Sequence, residues 1–158
     1  KSRFFKKQLT PRPMGNISKE IQSTFPSENA KALVHIKYTA NWIANKTSAI
    51  LNPFDISMQQ YNILRILRGA KDPIPVQTVK ERMVEKSPNT TRLVDKLCLK
   101  DFVYRHRCEN DRRVVYIGIT KLGLSLLETI PIHKIERFMD PLTAQEAKQL
   151  NFLLDKLH

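Results

Sequence analysis

Residues 76–119 constrain the fold more than any other stretch of this 158-residue chain. Val76, Val79 and Met83 mark the apolar side of one short helix, and Leu93, Val94, Leu97 and Cys98 mark that of another. Ser87-Pro88 opens the second. Serine offers an oxygen to the free amides of a first turn, and proline at the next position has its φ pre-set and no N–H to leave unsatisfied. Two short helices joined by so tight a turn predict a helix-turn-helix. Phe102–Arg107 and Val114–Ile119, rich in β-branched and aromatic residues, read as strands on either side of the polar turn 108–113. A hairpin directly after the second helix occupies the position of a wing.

The flanks are helical. Ser27 can cap a long helix to about Leu51, with Ala30, Leu33, Ile36, Ala40, Ile43, Thr47 and Ile50 as one apolar stripe and Val34, Tyr38 and Trp42 beside it. Pro53 ends it. Ser57 and Gln60 form a capping box ahead of Tyr61, Leu64 and Leu67. Thr120 caps a further helix that Pro131 should break, and Thr143 with Glu146 opens a last one bearing Leu150, Leu153, Leu154 and Leu157. The expected fold is mainly α with a small β-hairpin wing (α+β). A winged helix-turn-helix lobe over 57–119 lies between helices 27–51 and 120–157, all within one domain, 27–157. Those outer helices carry more apolar surface than a small lobe covers, so they are expected to pair with a second copy as dimerisation helices. Residues 1–26 read as a basic extended arm. Met14 is the first methionine, so residues 1–13 are either native or appended.

Charge narrows the partner. The formal net charge is +12, and Lys1, Arg3, Lys6, Lys7 and Arg12 contribute five of those charges with no acid among the first thirteen residues. Basic domains suit polyanions, because neutralising a phosphate releases condensed counterions. Ordinary solubility charge explains the rest equally well. No apolar run reaches the ~18 residues of a membrane span, and no signal-peptide pattern is visible. Two cysteines, Cys98 and Cys108, fit a reducing cytoplasm rather than a disulfide framework.

The second helix presents Asn89, Thr90, Thr91 and Arg92 behind Ser87 and Pro88, with Lys96 and Lys100 following at four-residue spacing. Donors and acceptors near a helix N-terminus can read base edges in the major groove of double-stranded DNA, and the helix end itself attracts phosphate. An amphipathic helix with a solvated charged face would look the same. The turn carries Arg112 and Arg113, and its strands carry Arg105 and Arg107. Arginine suits a narrow minor groove. Asp111 fits if it orients a neighbouring arginine. A charged turn that blocks edge pairing is the plainer explanation, but helix-turn-helix and basic wing in this order are much rarer by chance than either alone.

The run Asp111-Arg112-Arg113-Val114-Val115-Tyr116-Ile117-Gly118-Ile119-Thr120-Lys121-Leu122-Gly123 resembles the wing signature of the MarR (multiple antibiotic resistance regulator) family. Thr91-Arg92-Leu93-Val94-Asp95-Lys96-Leu97 is similar to that family's recognition helix, and the helices match in order over roughly residues 27–157. The resemblance implies a bacterial, dimeric winged-helix transcription regulator, usually a repressor, on a pseudo-palindromic operator. By position it makes Arg113 the minor-groove arginine and Asp111 its orienting partner, with recognition contacts on Ser87 to Arg92. It also implies a small anionic or phenolic effector between the DNA-binding lobe and the dimerisation helices. His35, Tyr38, Trp42 and Tyr61 could line that pocket, although aromatic stripes more often simply pack.

Other chemistry is sparse. His106 and Cys108 face the same way along a strand, but two ligands do not make a zinc site. Arginines beside Cys108 would favour a thiolate, while Cys98 lies on an apolar face. No catalytic constellation, phosphate-binding loop or cofactor motif stands out, so no enzyme is expected. The alternatives to a sequence-specific regulator are a non-specific architectural DNA-binding protein and a winged helix that binds only protein.

Overall fold

A computed structural model of the chain describes residues 15–84, 89–107 and 114–157. In chain order the elements are α1 (Ile17–Glu20), α2 (Glu28–Leu51), a 3-10 turn (Asn52–Phe54), α3 (Met58–Ala70), β1 (Ile74–Pro75), α4 (Val76–Arg82) and α5 (Thr90–Leu99). Then come β2 (Val103–Arg107), β3 (Val115–Ile119), α6 (Lys121–Thr129), α7 (His133–Glu136), a second 3-10 turn (Arg137–Met139) and α8 (Ala144–Asp155). The chain divides into two compact units, one ending at Trp42 and one starting at Ile43, so the boundary falls inside α2.

In the first unit, α1 starts where the Asn16 side chain accepts the Ser18 N–H at 3.0 Å. Ser27 does cap α2, its hydroxyl accepting the Ala30 N–H at 3.1 Å. The Tyr38 hydroxyl donates to the Glu20 carboxylate at 2.6 Å and ties α1 to α2. Leu33 and Ile36, expected on the buried stripe, are 70% and 41% exposed.

The second unit holds the core. α3 supplies Tyr61, Ile63, Leu64 and Leu67, and Leu51 and Ile56 close over its start. Val79 and Met83 enter from α4, Val94 and Leu97 from α5, Val103 and Ile117 from the strands, Leu127 from α6 and Ile130 from just beyond it. Removing this apolar surface from water is what holds the short elements together, since helices of seven to ten residues are marginal alone. Both capping boxes form as the sequence predicts, Ser57 with Gln60 and Thr143 with Glu146. α6 stops at Thr129, ahead of Pro131.

Three features depart from the sequence reading. Residues 1–26 read as an extended arm, but Ile17–Glu20 within them form α1, started by the Asn16 cap. The sheet has three antiparallel strands in the order β1-β3-β2, not two. Ile74 pairs with Ile117 and Pro75 with Tyr116, and two residues containing a proline give no periodic signal. α5 begins at Thr90, not at Pro88: Asn89 is its N-cap, with φ −101° and ψ 21°. Ser87 and Pro88 lie outside the described residues. α8 buries none of its residues, in line with the expectation that the last helix carries more apolar surface than the lobe covers: Leu150, Phe152 and Leu153 are 38%, 62% and 50% exposed.

The link from α5 to β2 closes tightly. Asp101 adopts φ 57°, its N–H donates to the Cys98 carbonyl, and the Phe102 N–H donates to the Leu97 carbonyl, each at 3.0 Å. This is a Schellman arrangement with aspartate at the left-handed position usually taken by glycine. The Phe102 carbonyl then accepts the Thr120 N–H at 3.0 Å, and the Thr120 hydroxyl accepts the Gly123 N–H at 3.0 Å. A β-carbon on Gly123 would lie 2.2 Å from that Phe102 carbonyl oxygen. The threonine and the glycine three positions on thus dock α6 against the end of α5.

Candidate nucleic-acid interface

α5 separates its side chains by face. Asn89, Thr91, Arg92 and Lys96 are exposed, while Thr90, Val94 and Leu97 point inward. Positions i, i+4 and i+7 fall on one stripe, so Thr90 belongs to the apolar series, not to the base-reading one. It is fully buried, with its hydroxyl 3.6 Å from the Met83 sulfur. That corrects its expected place among the DNA contacts. Asn89 and Thr91 flank it on the outer surface of the first turn.

Arg105 also plays another part than sequence suggests. Rather than projecting as one more wing cation, it reaches from β2 to α5, where it meets the Asp95 carboxylate at 2.6 Å and the Thr91 carbonyl at 3.3 Å. One guanidinium thereby holds two successive turns of the helix. The sequence carries the opposite charges, but only the β2–β3 register brings them together. Beside this clamp a cleft of about 390 Å3 is lined by Pro75, Val76, Gln77, Lys80, Thr91, Arg105, Val114 and Val115. At the other end of α5, Lys100 donates to the Asp55 carboxylate at 2.5 Å and to the Asp55 carbonyl. The nearby Lys100, and more weakly Lys96, hold the Asp55 carboxyl below its ordinary range.

On the outer side of the hairpin, His106 stacks on Tyr116 with centroids 5.2 Å apart and planes 12° apart, and Tyr104 lies beyond at 6.4 Å from His106. The wing tip with Cys108, Asp111, Arg112 and Arg113 lies outside the described residues. Cys98 is half-buried, and burial pushes its thiol pKa up against the pull of Arg105, as suits an inert packing residue. Of the expected effector-pocket residues, His35 and Tyr38 are exposed and Trp42 half-buried in the first unit. Tyr61 belongs to the second, 4% exposed, with the Arg65 guanidinium 6.0 Å from its ring centre. Burial raises its phenol pKa. Among the described residues no three His, Cys, Asp or Glu side chains gather as metal ligands, and no helix is long and apolar enough to cross a membrane.

A sequence profile of the MarR family matches residues 56–115. The multiple antibiotic resistance protein MarR of Escherichia coli is 31% identical over 113 residues, covering 68% of this chain and 76% of that protein. The regulator PecS of Dickeya dadantii is 29% identical over 114 residues, 68% of each chain. Among solved structures, a MarR transcription factor from Planctomyces limnophilus superposes with a TM-score of 0.65 at 31% identity, over 84% of this chain and 98% of that one. A MarR variant from E. coli complexed with operator DNA gives 0.70 at 24% identity, over 90% and 99%. The MepR–DNA complex of S. aureus gives 0.72 at 23%, over 78% and 93%.

Proposed function

Because this chain belongs to the MarR family, a family of transcription regulators, we propose that it is a sequence-specific, double-stranded-DNA-binding repressor that works as a homodimer on a pseudo-palindromic operator. The observation that carries this reading is the outer face of α5. Asn89, Thr91 and Arg92 stand exposed on its first turn with Lys96 further along, on a helix fixed from behind by core packing and the Arg105 clamp. Short polar side chains on a rigid helix start suit base edges, and cations along the same helix suit phosphate. Ser87 and Pro88 extend the contact surface by family resemblance. Arg113 enters the minor groove with Asp111 as its orienting partner, and Arg112 lies beside it.

The dimer is supported by apolar faces that a lone chain leaves in water: Leu33 and Ile36 on α2, and Leu150, Phe152 and Leu153 on α8. A second copy related by a two-fold axis would cover such faces and set two α5 helices roughly 34 Å apart, one DNA turn. The proposed regulator is cytoplasmic and has no catalytic role of its own. We further propose that a small anionic or phenolic effector modulates DNA binding, with His35, Tyr38, Trp42 and Tyr61 as candidate contacts.

The test is selection of duplexes from a random library by the purified protein, followed by footprinting on the winning sequence. An enriched inverted repeat, protected on both halves at physiological salt, is the expected result. Binding without enrichment would replace the regulator with an architectural DNA-binding protein.

A further inference from the structure

We infer that Asp55 and Lys100 form a strut that sets the tilt of α5 for DNA reading. They are positioning residues that act through the helix instead of touching DNA. The inference rests on the DNA-reading function proposed above.

The two ends of α5 are held differently. Its inner face is packed by Val94 and Leu97, and Arg105 grips Thr91 and Asp95 from the β2 side. The opposite flank faces the start of α3. An open groove of about 570 Å3 lies there, bordered by Ser57, Gln60, Lys96 and Leu99. Leu99, at the last turn, is 85% exposed. Leu97 packs the inner side of this turn, but on the groove side no apolar side chain of α5 is buried. What crosses the groove is Lys100, whose ammonium meets both the carboxylate and the main-chain carbonyl of Asp55.

Both anchors are rigid. Asp55 sits in the left-handed region at φ 53° and ψ 40°, with its N–H donated to the Asn52 carbonyl at 3.0 Å. That conformation, which aspartate and asparagine tolerate better than most residues, lets its carbonyl and carboxylate reach one ammonium together. Lys100 is the C-cap of α5, immediately before the left-handed Asp101. The side chain of Lys100 is 29% exposed although it is a lysine at a helix end, whereas that of Asp55 is 93% exposed. An ion pair this open contributes little to overall stability. Its effect is on direction: Val94 and Leu97 hold the inner side of α5 while Arg105 and the strut hold it from two flanks, and with the strut gone the helix can roll toward the Arg105 flank and turn the exposed Asn89 and Thr91 side chains.

The experiment compares the unaltered protein with Lys100→Met, Asp55→Asn and the double variant, on the duplex that the unaltered protein selects. Methionine keeps the length and packing of the lysine stem, and asparagine tolerates the left-handed backbone. We expect each single variant to keep its thermal midpoint and to bind roughly 3- to 10-fold more weakly, the double variant being no worse than either, as for two ends of one interaction. The slope of log affinity against log salt should be unchanged in all three. Weaker binding by Asp55→Asn is the telling result, since removing a negative charge near DNA would otherwise strengthen binding. Two results would overturn the strut. In one, Lys100→Met lowers the salt slope by about 0.9, the signature of one lost phosphate contact, and Asp55→Asn binds as well or better. In the other, all variants bind like the unaltered protein. If the unaltered protein enriches no duplex at all, the DNA-reading function falls and the strut falls with it.

Discussion

Neighbouring threonines in α5 have opposite surroundings, and that difference can be measured. Thr91 is exposed and Thr90 fully buried. Thr91→Ala and Asn89→Ala should shift the preferred DNA sequence in a selection experiment while leaving unfolding unchanged. Thr90→Ala should leave the preference alone and lower stability by about 1 kcal/mol through lost packing; a changed preference for Thr90→Ala alone would reverse the assignment. The spacing of Thr90 from Val94 and Leu97 was already the sign that it faces inward, but its hydroxyl and its place at a helix start point toward DNA. A similar conflict attends Thr47 in α2, which the periodicity rightly places among apolar residues. It is 1% exposed, and its hydroxyl has no hydrogen-bond partner among the described residues. A buried unpaired hydroxyl is costly, and valine has the same shape and a similar helix propensity. Thr47→Val should therefore raise the denaturation midpoint by about 1 kcal/mol of stability; a loss would mean the hydroxyl is bonded after all.

At the level of elements, what was legible in sequence was local. Ser27, Ser57, Thr120 and Thr143 all cap the helices they were expected to cap, because capping involves residues two or three apart. What was missed was non-local. β1 exists because β3 pairs with it, and Arg105 clamps α5 because the strand register aims it there. The Thr120–Gly123 joint lies between these cases: visible as spacing, explained only by the Phe102 carbonyl. Gly123→Ala sets two effects against each other. Alanine favours a helix by about 1 kcal/mol, but its β-carbon meets a backbone oxygen that cannot retreat without releasing Thr120. The clash should win, with a net loss of about 2 kcal/mol by chemical denaturation. At α8, Glu146 accepts from the Thr143 N–H and hydroxyl at 2.8 Å, and those bonds hold its carboxyl below the ordinary range. A lowered value means the cap is intact above the ordinary carboxylate range and lost as pH falls through the lowered one. Protection of the first-turn amides of α8, taken relative to their intrinsic exchange rates at each pH, should fall in acid, and Thr143→Ala should show the same loss of protection at neutral pH, with a cost of about 1 kcal/mol.

For the whole molecule, the exposed leucines and phenylalanine of α8 give the dimer its sharpest test. Phe152→Asp with Leu153→Asp changes residues that a lone chain leaves in water, so an isolated chain should fold as before. Light scattering should report a dimer for the unaltered protein and a monomer for the variant, and tight binding to the full inverted repeat should be lost; a dimer that persists would place the interface elsewhere. The sheet bears on the same question. Of its two edges, β1 is two residues long and one is a proline, which has no amide to offer, while β2 carries Arg105 and Arg107. Neither edge welcomes a strand from another copy. Pairing of β1 of one copy with β2 of the next would be head-to-tail and open-ended, and in a basic protein gathered at high local concentration along DNA it would build polymers. With that route discouraged, the proposed self-association is left to the helical faces, whose pairing about a two-fold axis would close after two copies and stop.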